Sequence, residues 1–430
     1  MTKDRMHSLF RHRTDCRLCH SDGVEVVVPL RPIPVATPNT GLPTQGQTAD
    51  ELASALVPLD LYLCRNCGHL QLLDIIDPEV QYNNFAYTTS ISLGLTEHFG
   101  RLAEAVIARG RLSPGALVVE VGSNDGTLLR FFKDRGMRVL GIDPARATAM
   151  RATAEGIETL PTFFTEALAE QLCADRGPAA VVISNNTYAN LDDLDGPTAG
   201  IRKLLAPDGL LVFETQHGAD VIRRMLVDTI YHEHLSYFLV GPLLRLVEGL
   251  GAAVARARRV PVHGGSLRLA IRRGGLHCPE MLALAEAERR DGLQDLETYR
   301  AFARRVGENC DRLHEVVHSL TSAGVRVVGY GASAKGNTLL NRCSLPLAYI
   351  VDDNPLKHGY LTPGRQVLIR PPQAILEESP GLHVLLLAWN FAGEIVQNLR
   401  AWRPGRGDAV IRYIPEVSCR AVDADLALLE

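Results

Sequence analysis

Four side chains that can transfer protons stand side by side in residues 230–238, which read IYHEHLSYF. They are Tyr231, His232, Glu233 and His234, the densest run of such groups in the chain. On an extended strand the two histidines would face one side, whereas a bend would bring all four together. Because histidine titrates near neutral pH, the run predicts a general base. The alternatives are a structural hydrogen-bonded patch and a metal site on the two histidines, which lacks an evident third ligand.

Two CxxC pairs near the amino terminus form a second group with a definite chemistry. Their members are Cys16, Cys19, Cys64 and Cys67. Four thiolates suit a tetrahedral Zn²⁺, and each short loop turns its two sulfurs to the same side. Four protein ligands leave no position open for a substrate, so the predicted zinc is structural. The flanking His20 and His69 are interpreted as bystanders, and disulfides are the alternative, which a cytoplasmic compartment disfavours.

A glycine turn after an apolar strand indicates where a cofactor binds. Residues 117–129 read LVVEVGSNDGTLL, so a strand leads through glycines to the start of a helix, where unpaired N–H groups can approach a ligand. A second strand, RVLGI at 138–142, then delivers an aspartate placed to accept hydrogen bonds from a ribose diol. The spacing ExGxxxG, rather than GxGxxG, favours S-adenosylmethionine over NAD. The expected cofactor-binding residues are Glu120, Gly122, Asn124, Asp125, Gly126, Asp143 and Asn185.

The elements that follow extend this unit into a sheet. Residues 179–183, AAVVI, predict a third buried strand, and the polar residues 184–190, SNNTYAN, lie at its carboxyl end, where open α/β sheets bind ligands. Residues 201–214, IRKLLAPDGLLVFE, predict a helix end, a Pro-Asp-Gly turn and another buried strand. Together these elements resemble the class I methyltransferase fold.

A third unit carries its own glycine turn in VRVVGYGASAKGNTLLN, which begins at Val325. Its spacing fits the NAD fingerprint G-x-G-x-x-G/A, and the acidic Asp352 and Asp353 follow the next strand. A lone fingerprint of this kind is weak, because Rossmann-like sheets use the same turn to pack a helix on a strand. Lys335 and Asn337, at the start of the predicted helix, are expected to engage a phosphate or carboxylate of the substrate.

The predicted fold class is therefore α/β, with three domains. Residues 1–80 are expected to form a small zinc-binding domain with a proline-rich, non-helical loop. Residues 81–278 are expected to form the S-adenosylmethionine-binding domain, with a helix over 95–109. Residues 279–430 are expected to form a helical connector followed by a Rossmann-like substrate domain.

Composition limits the classes of partner. The chain has 430 residues, 46% of them hydrophobic, and a formal net charge of −4 without a long basic run. Nucleic acid is therefore not an expected partner. No apolar run reaches the roughly 20 residues that span a bilayer, and no secretory signal is present, so we expect a cytoplasmic protein without membrane contact. A small molecule is the expected partner, and the oligomeric state stays open.

Four motifs match, in order, those of the sugar-nucleotide C-methyltransferases, a family that includes the tetronitrose C-3-methyltransferase. The motifs are CxxC…CxxCGH, VEVGSNDGTLL, YHEH and YGASAKGN. The resemblance covers nearly the whole chain and implies a zinc domain, a central S-adenosylmethionine domain and a C-terminal Rossmann-like domain. It also implies that Tyr87, Tyr231, Glu233 and His234 lie at the reacting centre. The family pairs an asparagine with a histidine four residues later; Asn186 matches, but Asn190 replaces the histidine and leaves the acceptor open.

The resemblance implies a specific reaction. His234, oriented by Glu233, would remove the C-3 proton of a nucleoside-diphosphate 4-keto-deoxysugar, and Tyr231 or Asn186 would stabilise the enolate oxygen. Asn190 would contact the substrate. The alternatives are O- or N-methylation of a sugar or small metabolite, an NAD-linked oxidoreductase, and a degenerate module whose zinc knuckle docks a partner.

Overall fold

The amino-terminal unit of the computed structural model consists of short antiparallel strands around the CxxC pairs. The structure describes residues 10–35, 55–82, 88–91 and 94–424. Strand β5 is paired with both β2 and β6, and two ribbons pair β1 with β7 and β3 with β4. The elements are β1 (Phe10–His12), β2 (Val24–Val28), β3 (Ile33–Pro34), β4 (Leu56–Val57), β5 (Leu61–Cys64), β6 (Leu70–Leu72), β7 (Asp74–Ile76) and helix α1 (Pro78–Tyr82).

The central unit is a seven-stranded sheet in the order β10-β9-β8-β11-β12-β15-β14. The first five strands are parallel, and β15 and β14 are antiparallel to their neighbours. The elements are α2 (Leu95–Gly110), β8 (Leu117–Val121), α3 (Thr127–Lys133), β9 (Arg138–Ile142), α4 (Arg146–Ala154), β10 (Thr159–Leu160), α5 (Glu166–Arg176), β11 (Ala179–Asn185), α6 (Asp195–Leu204), β12 (Leu205–Gln216), α7 (Gly218–Arg223), β13 (Ser236–Tyr237), α8 (Val240–Gly249), β14 (Ala252–Val260) and β15 (Ser266–Arg273).

Burial explains why the central strands are mostly apolar. All five residues of β8 are buried. Val118 packs into the core on one face of the sheet, whereas Val119 and Val121 pack into the core on the other. This pattern is typical of parallel strands covered by helices on both sides. From β8, the next strands β9 and β10 are added toward one edge of the sheet, whereas β11 and β12 are added toward the other edge. A ligand crevice therefore opens between the carboxyl ends of β8 and β11.

The C-terminal unit is a six-stranded sheet in the order β18-β17-β16-β19-β20-β21, with only β21 antiparallel. The predicted helical pair precedes it. The elements are α9 (Pro279–Arg290), α10 (Leu296–Ser322), β16 (Val327–Tyr330), α11 (Ala334–Cys343), β17 (Ile350–Val351), β18 (Ile369–Arg370), β19 (His383–Leu386), α12 (Ala392–Trp402), β20 (Ala409–Arg412) and β21 (Ser418–Ala421).

The segment after His234 belongs to the amino-terminal sheet. Strand β13 pairs with β6, with Ser236 opposite Gln71, so the four-stranded order is β13-β6-β5-β2. The fully buried Arg17, between the first two cysteines, donates hydrogen bonds to the carbonyls of Leu235 and Leu72. The small sheet therefore holds one end of the segment that carries the proton-transfer side chains.

Two details differ from the sequence-based expectation. Strand β12 already begins at Leu205 and includes the Pro-Asp-Gly residues, and its pairing with β11 shifts register between Ala179 and Val181. Cys310 of α10 and Cys343 of α11, which the sequence left unpaired, form a disulfide. In the part of the chain that the structure describes, no helix has the length and apolar character required to cross a membrane.

Candidate active site

A cavity of about 1300 Å³ lies between the central and C-terminal sheets. Its walls include the ends of β8, β9 and β11 from the central sheet and the ends of β16 and β17 from the C-terminal sheet. Tyr231, Glu233 and His234 line the same space. The structure thus brings the first glycine turn, the proton-transfer run and the second glycine turn around one cavity.

The first glycine turn packs against Thr187 only because residue 122 lacks a side chain. Gly122 has a φ of +77°, and a Cβ atom there would lie 2.0 Å from the hydroxyl oxygen of Thr187. That hydroxyl donates a hydrogen bond to the carbonyl of Val121, which fixes its position. Glycine is therefore required at this position of the turn, and both Gly122 and Thr187 line the cavity.

Two carboxyl groups line the cavity beside this turn. Asp143 accepts hydrogen bonds from the backbone N–H groups of Asn124 (2.8 Å) and Ala145 (2.9 Å), and each oxygen retains a lone pair for a ligand. Glu120 is buried and its Oε2 atom has no hydrogen-bond partner. Burial, reinforced by the charge of Asp143, raises the pKa of Glu120 well above its usual range. Such acceptors suit a ligand with hydroxyl and ammonium donors.

Three asparagines at the end of β11 also line the cavity: Asn185, Asn186 and Asn190. Both amide atoms of Asn185 and the Oδ1 atom of Asn190 are buried without hydrogen-bond partners. Buried polar groups in native structures are nearly always hydrogen-bonded, so these atoms are available to a bound molecule. The glycine cradle, the two carboxyls and the asparagine amides fit the amino, carboxylate and ribose groups of S-adenosylmethionine.

Two of the expected cofactor residues have structural roles instead. The Asp125 carboxylate accepts hydrogen bonds from the Ser90 N–H and from both the N–H and hydroxyl of Thr127, and it does not line the large cavity. Gly126 begins helix α3 with a φ of +73° and also lies outside the cavity lining. Asn124 lines the cavity, but its Oδ1 accepts the Thr89 N–H. These residues shape the turn and hold residues 89–90 against it.

The YHEH segment forms a turn, not a strand, and this turn brings Tyr231 and His234 together. The N–H of His234 bonds the carbonyl of Tyr231, and the Tyr231 hydroxyl lies 2.8 Å from His234 Nε2. His234 Nδ1 lies 3.2 Å from the Thr229 carbonyl, which can only accept a hydrogen bond. The proton of the neutral ring is therefore on Nδ1, and Nε2 presents a lone pair on the cavity side.

His234 is held in its neutral form. Burial, with added repulsion from Lys335 and His263, lowers the pKa of His234 to about 3. Its two ring nitrogens contact Thr229 and Tyr231. The orientation of this ring by Glu233 stays a prediction. Glu233 also lines the cavity.

The other histidine of the motif faces away from the cavity. His232 is buried, and its Nε2 atom lies 3.2 Å from the carbonyl of Val57. Because His232 and His234 have different surroundings, the alternative of a metal site on these two residues is not supported. Among the described residues, the one cluster of potential metal ligands is the four cysteines.

The buried His232 should make the folded protein less stable at acidic pH. Burial lowers its pKa to about 4, below the unfolded value of about 6.5, so only the unfolded chain binds this proton between those pH values. Stability should therefore fall as pH falls below 6.5, by about 2 kcal/mol at pH 5 from this residue. His232→Gln should remove that contribution, measured by urea unfolding at pH 7.5 and 5.0. An unchanged difference between the two pH values would contradict the burial argument.

Several cavity residues were missed by the sequence analysis. His98 of α2 lines the cavity and, with Arg268, contacts the buried carboxylate of Glu214. His263 also lines it, with a φ of +53° directly before two glycines. The Gln216 amide donates to the His263 carbonyl, while its Oε1 has no hydrogen-bond partner. The histidine–glycine–glycine sequence at 263–265 was the available signal, since it marks an irregular turn.

The C-terminal glycine turn places one predicted substrate residue in the cavity and not the other. Lys335 lines the cavity, whereas Asn337 is buried in the interior of the unit, where its Oδ1 accepts from Asn341. Residues two positions apart on a helix point about 200° apart, so both cannot face the same space. Asp352 accepts hydrogen bonds from the N–H groups of Ala332 and Asn354, as Asp143 does in the central unit.

The four cysteines lie together as predicted. The sulfurs of Cys16 and Cys67 are 3.7 Å apart and those of Cys19 and Cys64 are 3.6 Å apart, and all four lie within 4.8 Å of one another. A tetrahedral Zn²⁺ with Zn–S bonds of about 2.3 Å requires sulfurs about 3.8 Å apart, so the donor set fits zinc. Tyr87, expected at the reacting centre, lies outside the described residues.

Three family models match the chain in succession. They are described as "Putative zinc binding domain" for residues 16–82, "Methyltransferase domain" for residues 96–257 and "C-methyltransferase C-terminal domain" for residues 261–415. The C-methyltransferase NovU of Streptomyces niveus is 33% identical over 430 residues, covering 98% of this chain and 100% of that protein.

Two solved structures are similar to part of the chain. The magnesium protoporphyrin IX methyltransferase of Synechocystis PCC 6803 with bound SAH has 18% identity and a TM-score of 0.33, covering 42% of this chain and 84% of that one. The PH0226 protein of Pyrococcus horikoshii OT3 has 14% identity and a TM-score of 0.36, covering 45% of this chain and 98% of that one.

The full-length relative and the successive domain matches agree with the geometry of the cavity and of the cysteine cluster. They leave the NAD-linked oxidoreductase and the O- and N-methylation alternatives without support. The chain belongs to the C-methyltransferase family and is an S-adenosylmethionine-dependent methyltransferase with a class I α/β domain and a four-cysteine zinc site.

Proposed function

We propose that the protein methylates C-3 of a nucleoside-diphosphate 4-keto-deoxysugar through an enolate. The observation that carries this proposal is the His234 ring, whose Nδ1–H is held by the Thr229 carbonyl and whose Nε2 lone pair meets the Tyr231 hydroxyl beside the cofactor cavity. A carbon nucleophile requires removal of a C–H proton, and a neutral imidazole at the cavity is a group that can take it.

The chain's residues divide the work of deprotonation. Before the substrate binds, the Tyr231 hydroxyl donates to His234 Nε2. When the C-3 carbon approaches, Nε2 takes its proton, and the Tyr231 hydroxyl turns to donate to the keto oxygen as charge develops there. S-adenosylmethionine, when bound beside Gly122 and Asp143, supplies the electrophilic methyl group. Asn186 and Asn190 line the cavity on the side of β11 and would contact the acceptor.

The size of the cavity supports a large acceptor. Its volume of about 1300 Å³ exceeds the roughly 300–1,000 Å³ of most small-molecule sites, so it has room for a cofactor and a second ligand together. The wall from the C-terminal sheet presents Tyr330, Asp353 and Asn398, polar groups suited to a nucleotide. We assign residues 279–430 to the helical connector and the substrate-binding domain on this basis.

Product analysis tests this function directly. The enzyme is incubated with S-adenosylmethionine carrying a ¹³C-methyl group and with nucleoside-diphosphate 4-keto-6-deoxysugars. We expect a product in which the ¹³C-methyl is bonded to C-3, identified by carbon–carbon coupling. A methyl group on oxygen or nitrogen, or no transfer to any keto sugar nucleotide, would refute the proposal.

The cofactor site yields a separate prediction for Asp143→Ala. We expect the affinity for S-adenosylhomocysteine to fall by about 1–3 kcal/mol, because ribose hydroxyls lose a charged acceptor. The substitution also leaves the Asn124 and Ala145 N–H groups without their acceptor. Asp352→Ala is the matched control, since it removes the same pair of backbone contacts in the C-terminal unit. Calorimetry should show weaker binding for Asp143→Ala alone; equal affinities would remove Asp143 from the cofactor site.

A further inference from the structure

Lys335 brings a positive charge from the C-terminal unit to the wall of the cavity. It lies in the first turn of α11, where the Ser333 side chain caps the helix by accepting the Gly336 N–H. Lys335 Nζ lies 5.3 Å from the centre of the Trp389 ring, a cation–π contact. Lys335 lines the cavity, and the carboxylate of Asp228 is the opposite charge that acts on it.

The Trp389 ring ties this lysine to the segment that carries His234. The Trp389 indole N–H donates to the Asp228 carboxylate at 2.7 Å, and Asp228 also accepts the Tyr413 hydroxyl at 2.8 Å. The residue after Asp228 is Thr229, whose carbonyl holds the ring of His234. A Cβ atom on Gly264 would lie 2.5 Å from Trp389, so the indole also packs directly beside the His263 turn. These contacts connect Lys335, through Trp389 and Asp228, to the segment that positions His234.

Without substrate, the positive charge of Lys335 disfavours protonation of His234. The charge of Lys335 adds to burial in lowering the pKa of both His234 and His263. Deprotonation at carbon, however, creates a negative oxygen together with the protonated imidazole. The positive charge of Lys335 stabilises the negative oxygen of this ion pair. Its repulsion of the protonated His234 is therefore offset only when the oxyanion forms next to the ammonium group.

We propose that Lys335 is a further catalytic residue, whose ammonium donates a hydrogen bond to the enolate oxygen that forms when His234 removes the adjacent carbon-bound proton. This inference rests on the proposed function. The C–H electron pair becomes the carbon–carbon double bond, the carbonyl π pair moves onto oxygen, and the proton moves to His234 Nε2. Lys335 keeps its protons throughout. When the carbon forms its bond to the methyl group, the electron pair of the sulfur–methyl bond remains on sulfur and the ketone re-forms.

A phosphate of the substrate is the other anion that Lys335 could contact. Contact with the enolate oxygen would affect the rate of deprotonation, whereas contact with a phosphate would affect the affinity for the sugar nucleotide. The keto oxygen sits on the carbon next to the acidic one, whereas the phosphates are attached to the far side of the sugar ring. The link from Lys335 through Trp389 and Asp228 leads to the proton acceptor. The geometry therefore favours the keto oxygen.

The test compares Lys335→Met with Lys357→Met in the full-length enzyme. Lys357 is a matched control, because it lines the same cavity but is engaged with the Ala332 carbonyl and the Asp352 carboxylate. Each variant is given S-adenosylhomocysteine and a saturating 4-keto-6-deoxysugar nucleotide in D₂O, and exchange of the C-3 hydrogen is followed by NMR. Dissociation constants for both ligands are measured by calorimetry.

We expect Lys335→Met to exchange the C-3 hydrogen about 10²–10³-fold more slowly than wild type, as when one oxyanion donor is removed. Its affinities for both ligands should stay within about threefold, and Lys357→Met should exchange at the wild-type rate. Wild-type exchange at saturation with weakened sugar-nucleotide binding would make Lys335 a phosphate anchor and overturn the proposal. Wild-type exchange with unchanged binding would also overturn it. A wild-type enzyme that binds both ligands without exchange would refute the enolate function itself.

Discussion

Replacement of His234 by asparagine should lower the rate of methyl transfer by about 10²–10⁴-fold, the usual contribution of a positioned general base. Asparagine cannot take a proton at neutral pH, although its amide can still reach toward the Thr229 carbonyl. The cofactor turn around Gly122 lies on the central sheet, and the substitution leaves it untouched. Affinity for S-adenosylhomocysteine should therefore equal that of wild type. Turnover is measured by S-adenosylhomocysteine formation and affinity by calorimetry.

His232→Gln is the matched control for this experiment. His232 is in the same turn but faces Val57, outside the cavity lining, so turnover in this variant should stay near the wild-type value at neutral pH. If His234→Asn retained more than about a tenth of the wild-type rate, the assignment of His234 as base would be wrong.

Removal of the zinc ligands should have the largest effect on stability. Structural Zn²⁺ contributes on the order of 10–16 kcal/mol, as much as the whole stability of a typical domain. Cys64→Ser should therefore prevent the sheet of β2, β5 and β6 from forming. Strand β13 would lose its partner β6, and Leu235, the neighbour of His234, would lose the Arg17 contact.

Three measurements check this prediction. Elemental analysis of the wild-type protein should give about one zinc per chain. Cys64→Ser should give little folded protein, whereas Cys173→Ser, which alters a half-buried free cysteine outside the cluster, should give the wild-type yield. A metal-free preparation with full activity and an unchanged melting temperature would contradict the structural role.

The patterns that predicted the fold are local. The predicted strands at 117–121, 138–142 and 179–183 are all present, and most of their residues are buried in a parallel sheet that helices cover on both faces. The two glycine turns follow their strands as predicted, and the four cysteines converge. Each of these features depends on residues close in sequence or on one simple ligand geometry.

The side-chain contacts that the sequence did not predict depend on how the backbone turns around each residue. Asp125 was assigned to the cofactor, but its oxygens are taken by Ser90 and Thr127. The contact between the Thr229 carbonyl and the His234 ring was not predicted, because it depends on the turn formed by residues 231–234. The sequence pattern could not predict this turn, because the same residues are also compatible with an extended segment.

The cavity residues that were missed come from other elements altogether. His98 is on α2, His263 precedes β15, and Asn398 is on α12. They meet only because the central and C-terminal sheets both direct their strand ends at one space. The same packing brings Lys335 and His234 to one cavity, a relation that neither motif contains by itself.

The central claim is that the protein removes a carbon-bound proton before methyl transfer. Hydrogen exchange at C-3 of a nucleoside-diphosphate 4-keto-6-deoxysugar tests it most directly, in D₂O with S-adenosylhomocysteine in the cofactor site and with an enzyme-free sample as background. The account predicts that wild type exchanges this hydrogen well above background and that His234→Asn does not. Equal exchange in both proteins, or none in wild type when both ligands are bound, would contradict it.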